Sequence, residues 1–87
     1  MKKIEFYTAR YCGKCRAIKR RLIELKEELK DIDIIFHDID IERAKARKEK
    51  IDGVPTLIFY LSGREIDRMS GTILTEDILN LIKKERS

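Results

Sequence analysis

Lys3-Ile4-Glu5-Phe6-Tyr7-Thr8-Ala9-Arg10-Tyr11-Cys12-Gly13-Lys14-Cys15 is the stretch on which the reading of this chain turns. Its first six residues read as a β-strand. From Cys15 onward the apolar positions Cys15, Ile18, Leu22, Leu25 and Leu29 recur three and four apart, one face of a helix over Gly13–Lys30. The only two cysteines therefore fall in a strand-to-helix turn. Cys12 is placed at a helix N-terminus, where free N–H groups and the positive dipole end favour a thiolate over a thiol. Cys15 follows one turn later, close enough to close a disulfide. A bridge across two residues constrains the unfolded chain little, so the pair reads as a redox switch rather than a staple.

The 87 residues fit a single domain, 1–87, with no room for a second. A chain of this size buries only about 60–65% of its unfolded surface, so its core must be compact. The N-terminus lacks the apolar segment and small-residue cleavage site of a signal peptide. The longest apolar run, Leu57 to Leu61, is far too short to span a bilayer. A soluble, cytoplasmic protein is expected, and in that compartment a lone Cys-x-x-Cys near a βαβ pattern is more often catalytic than structural. The bias towards Lys, Arg and Glu, with no Gln and one Asn, resembles thermophile composition. The net charge of +4 arises from 20 basic and 16 acidic residues that are interspersed, with only Arg43 to Lys50 standing out as locally basic. That segment reads as a solvated helix face, and neither a nucleic acid nor a membrane is expected as a partner.

Along the chain the element types alternate without repeats or linkers. Strands are expected at Lys3–Thr8, Asp33–Asp38, Thr56–Tyr60 and Glu65–Ser70. A short helix covers Glu42–Lys50, with Ala44 and Ile51 facing inward, and Gly53 and Pro55 end it. Thr56–Tyr60 is almost wholly apolar, as befits a strand covered on both faces. Ser62-Gly63 makes a tight turn into the fourth strand, whose Glu65, Asp67 and Arg68 suit an exposed edge. Thr75 is a plausible N-cap for a last helix from Glu76 to Lys84, with Glu76 and Asp77 at its start and Lys83, Lys84 and Arg86 near its end. The order βαβαββα, with a right-handed βαβ crossover and a closing hairpin, gives a mixed four-stranded sheet with helices on both faces.

That order, the Cys-x-x-Cys and the distant Val54-Pro55-Thr56 resemble the thioredoxin superfamily over the whole chain. Tyr7-Thr8 through Tyr11-Cys12-Gly13-Lys14-Cys15 is similar to a glutaredoxin opening. Gly53-Val54-Pro55-Thr56-Leu57-Ile58-Phe59 through Ser62-Gly63-Arg64 to Gly71 is similar to thioredoxin. The resemblance implies an α/β thioredoxin fold, a cis Val54–Pro55 bond packed beside the disulfide, and a substrate strand pairing with the Val54 backbone. Proline is the one residue at which cis bonds are common, and it offers no competing N–H. The resemblance further implies that Cys12 and Cys15 are catalytic. It also implies that Tyr11, Gly13, Lys14, Val54, Pro55 and Gly71 form the substrate contact. Departures stand beside the likeness: Phe6 and Phe36 occupy the positions of a buried acid and lysine, leaving that part of the core apolar. The family's tryptophan is replaced by Tyr11, whose ring is expected to shield the sulfurs. Ser70-Gly71 stands where glutathione-binding glutaredoxins carry Gly-Gly.

The expected activity is protein-disulfide reduction without a bound cofactor or metal, by a monomer that takes electrons from a thioredoxin-reductase-type donor. Cys12, flanked by Arg10 and Lys14, attacks a substrate disulfide with a pKa below the usual 8.5 or so, and Cys15 resolves the mixed disulfide. Lys14 favours the thiolate and makes a weaker reductant than a proline there. His37, the only histidine, is expected near an exposed strand end with a structural role. Three alternatives stay open: a glutathione-linked glutaredoxin, an iron–sulfur or metal-binding redoxin, and a binding module without catalysis. One Cys pair supplies two of the four ligands of a structural zinc site, so a cluster would have to bridge two chains.

Overall fold

The computed structural model describes residues 1–83. Lys84 and Arg86, expected near the end of the last helix, lie outside the described residues. The elements are β1 (Lys2–Thr8), α1 (Gly13–Glu24), β2 (Ile32–Asp38), α2 (Arg43–Lys48), β3 (Thr56–Leu61), β4 (Arg64–Ser70) and α3 (Thr75–Lys83). The sheet order is β2-β1-β3-β4, with β1 parallel to β2, antiparallel to β3, and β3 antiparallel to β4. The mixed four-stranded thioredoxin fold expected from the element order is the fold observed.

Alternation along the central strand β1 divides the molecule into layers. Ile4 and Phe6 join Cys15, Ile18 and Leu22 of α1, Leu57 and Phe59 of β3, and Ile78 and Leu81 of α3 in one buried cluster. Glu5 and Tyr7 point to the other face, where Lys45 of α2 reaches Glu5 and Glu42 at its N-cap reaches His37. Flanked by β2 and β3, β1 is covered on both sides, as its buried residues 4–7 show. At the β4 edge Arg68 forms a two-pronged ion pair with Glu65, both contacts 2.8 Å, between two of the charges that suit an exposed edge. The β3–β4 turn has positive φ at Ser62 (52°) and Gly63 (83°), the backbone of a type I′ hairpin.

Three local expectations are corrected. Regular helix in α1 stops at Glu24, not Lys30. The carboxylates of Glu24, Glu27 and Glu28 crowd the negative end of the dipole, and the chain continues in turns that still deliver Leu29 to the core. In α2 the buried alanine is Ala46, while Ala44 is exposed and Ile51 only half-buried. Thr75 is helical rather than a cap; Asp77 instead reaches back, its Oδ2 accepting the Leu74 N–H at 2.8 Å.

Candidate active site

Cys12 is the N-cap of α1, extended at φ −114° and ψ 104°, and its Sγ accepts the Cys15 N–H at 3.1 Å. A sulfur thus fills the role that a Ser or Asp oxygen plays at most helix starts. Gly13 carries the helix away from it into open space, with nothing within 4 Å of where a Cβ would stand. Cys12 and Cys15 form a disulfide with Cα atoms 5.2 Å apart. The two sulfurs sit in unlike surroundings. Cys15 is 2% exposed among the core residues, whereas Cys12 is half-buried at their rim.

The Val54–Pro55 bond is cis, as the resemblance implied, with Pro55 buried and Val54 packed on the same cluster as Cys12. Gly71, with φ 80°, donates its N–H to the Pro55 carbonyl at 3.1 Å, which ties the segment after β4 to the proline loop. A groove opens at the turn before α1 and another along the N-terminal half of the helix. One, of about 300 Å³, is lined by Arg10, Tyr11, Asp38, Asp40 and Ile41. The other, of 190 Å³, lies between Lys14 and Arg21 on α1 and the Gly71–Ile73 segment. Arg21 bridges its floor, donating to the Ile73 carbonyl at 3.0 Å.

Tyr11 does not shield the sulfurs. Its side chain is 90% exposed, and a ring covering the disulfide would itself be covered. Of the two phenylalanines, Phe6 is fully buried as expected, but Phe36 is 42% exposed, edge-on to Phe6 at 5.9 Å with the Lys19 ammonium 5.1 Å above its ring. The apolar replacement is therefore complete on the Cys15 side and open to water on the other.

His37 is also corrected: it is 6% exposed, buried rather than at an open strand end. Its Nε2 faces Glu5 Oε1 at 2.5 Å and its Nδ1 faces Glu42 Oε2 at 2.9 Å, with Tyr7 stacked on the ring at 4.7 Å. Burial works to raise the Glu5 pKa. The His37 hydrogen bond and the charges of Lys45 and Lys3 outweigh it and hold the carboxyl below its usual 4.5. Burial likewise pushes the Tyr7 hydroxyl well up, and that oxygen has no hydrogen-bond partner among the described residues. This network was missed in the sequence. Its signal was a charged Glu5 in a strand that the crossover and the hairpin together make central. It lies on the sheet face opposite Cys15, so it does not supply the acid that Phe6 replaces.

Among the described residues no group of three or more His, Cys, Asp or Glu side chains converges in a way that could hold a metal ion. No described helix is long and apolar enough to cross a membrane.

Residues 3–84 match the family model described as Thioredoxin. A thioredoxin of Chlamydia trachomatis serovar D is 31% identical over 83 residues, covering 95% of this chain and 80% of its own. A putative thioredoxin-5 of Dictyostelium discoideum is 32% identical over 83 residues, covering 93% and 78%. In three dimensions a variant of thioredoxin from Halobacterium salinarum superposes with a TM-score of 0.87 at 24% identity, over 95% of this chain and 73% of that one, a likeness of fold.

Proposed function

This chain belongs to the thioredoxin family and is a dithiol oxidoreductase of that kind, and we propose that Cys12 is the sulfur that attacks and Cys15 the one that resolves. The observation that carries the assignment is the asymmetry of the pair: Cys12 is reachable and accepts a backbone N–H at 3.1 Å, while Cys15 is 2% exposed. An attacking sulfur must meet a substrate sulfur in line, and only Cys12 offers that access. The same N–H, the helix dipole and the nearby Arg10 and Lys14 stabilise its negative charge once the disulfide is reduced.

In the forward direction the Cys12 thiolate attacks one sulfur of a substrate disulfide, and the other leaves as a thiolate that takes up a proton. Cys15 loses its proton and attacks Cys12, which breaks the mixed disulfide and frees the second substrate thiol. Two electrons and two protons have then passed to the substrate, and the Cys12–Cys15 bond has formed. Water or the departing thiolate takes the Cys15 proton, because the buried polar side chains are Glu5 and His37 on the far face of the sheet and Thr56, which is bonded to the Gly53 carbonyl. Val54 and Pro55 offer backbone for an extended substrate, and Tyr11, Gly13, Lys14 and Gly71 frame it. A reductase of the thioredoxin-reductase type returns the electrons to a monomer in the cytoplasm.

The test is direct. A Cys15→Ser variant accumulates a mixed disulfide with its substrate through Cys12, and Cys12→Ser accumulates none; trapping through Cys15 would reverse the roles. Insulin-disulfide reduction coupled to a thioredoxin reductase checks the electron source. Turnover only with glutathione and its reductase would assign the donor otherwise.

A further inference from the structure

The charge of this chain is unevenly placed about its disulfide. Residues 10–23 hold Arg10, Lys14, Arg16, Lys19, Arg20 and Arg21 and no acid, so the remaining 14 basic residues face all 16 acids elsewhere. Residues 10–23, which carry both sulfurs, therefore hold a charge of +6 while the rest of the chain sums to −2. None of these six cations forms a salt bridge among the described residues, in contrast to Lys3, Lys45 and Arg68.

The groove at the turn before the helix and the one along the helix beside Lys14 differ in sign. Arg10 shares its groove with Asp38 and Asp40, which repel an incoming carboxylate. The groove between α1 and the Gly71–Ile73 segment is lined by Lys14 and Arg21 and by no acid. Arg21 is already held by the Ile73 carbonyl, so less of its freedom is lost when it engages a ligand. Lys14 and Arg21 are seven positions apart, on one face of the helix and about 10 Å along it. An extended chain covers the same span in about three residues.

We propose that this groove receives acidic side chains next to the target disulfide, so that the preferred substrates are proteins whose cystines lie in acidic segments. The proposal rests on the oxidoreductase assignment above and adds a substrate class to it. Charge on both partners speeds encounter and sets the register of the bound segment, and both effects weaken with salt.

Three disulfide-linked peptides, identical except for Glu, Gln or Lys flanking the cystine three residues apart, test it with dithiothreitol as electron source. The Glu peptide is expected to exceed the Gln peptide in kcat/KM by about three- to tenfold at low ionic strength, with the gap closing in roughly half-molar salt. Lys14→Gln and Arg21→Gln each shrink the preference, with the Gln peptide as internal reference. Arg47→Gln, which removes the same charge from α2 beneath the sheet, leaves the preference intact. Equal rates for Glu and Gln, or an equal loss from Arg47→Gln, would overturn the proposal. So would faster reduction of glutathione disulfide than of the Glu peptide, which would make a small thiol the occupant. If no peptide is reduced, the oxidoreductase assignment itself falls, and the specificity with it.

Discussion

Glu5 sits between Ile4 and Phe6 on the central strand and is buried with a charge that three other residues hold in place. His37 is its hydrogen-bond partner, and Lys3 and Lys45 stand within 3.5 Å. Removing the imidazole leaves a buried carboxylate short of a partner, so His37→Leu is expected to cost about 3 kcal/mol in urea denaturation. A Glu5→Leu, His37→Leu double variant should recover much of that loss, because neither charge then stays behind. The folded pKa of Glu5 lies below its unfolded value of 4.5. Its stabilising contribution is therefore complete above pH 4.5 and is lost as the pH falls below that through the folded value. Glu5→Gln should flatten this part of the acid-unfolding curve, measured by circular dichroism against pH. At the site, Lys14→Pro should raise the pH at which Cys12 becomes reactive by about half a unit, the scale of one exposed charge. Alkylation rates of the reduced protein against pH read this, and an unmoved profile would show that Lys14 does not tune the thiolate.

At the scale of elements, the Ser62-Gly63 hairpin places a serine at φ 52°, where asparagine is more at home. Ser62→Asn is expected to raise stability by roughly half a kcal/mol, and Gly63→Ala to lower it by about 1 kcal/mol. Both are read as shifts in the midpoint of chemical unfolding. This hairpin was fully legible in the sequence, since turn chemistry is local. So were the order of elements along the chain and the Cys-bearing turn, because a period of two and a period of three to four are distinct signals. The inward face of α2 was not: its six residues make less than two turns, and two alanines among cations give no periodicity to choose by. The early stop of α1 was also hidden, because Leu25 and Leu29 keep helical spacing while the backbone leaves the helix. The burial of His37 follows from the β1–β2 register, which sets it beside Tyr7 on the face where Glu42 reaches its ring and Lys45 reaches Glu5. No local pattern carries that information.

For the whole molecule, the narrow margin of a domain this small makes its core unforgiving. Phe6 is fully buried and touches both the sheet cluster and Phe36. Phe6→Ala is expected to cost about 3–5 kcal/mol, against a total stability of about 5–15 kcal/mol for domains in general. Thermal unfolding should show a drop large enough to leave the variant partly unfolded at 37 °C. Phe6→Leu should retain most of the stability, which separates lost volume from a specific need for the ring. The hydrogen bond from Gly71 to the Pro55 carbonyl has a further bearing on how the molecule meets a substrate. It joins two segments, one preceding β3 and one following β4, that face the disulfide turn from the other side. A substitution that displaces either segment is therefore expected to be felt in the other, although some sixteen residues of hairpin separate them in sequence.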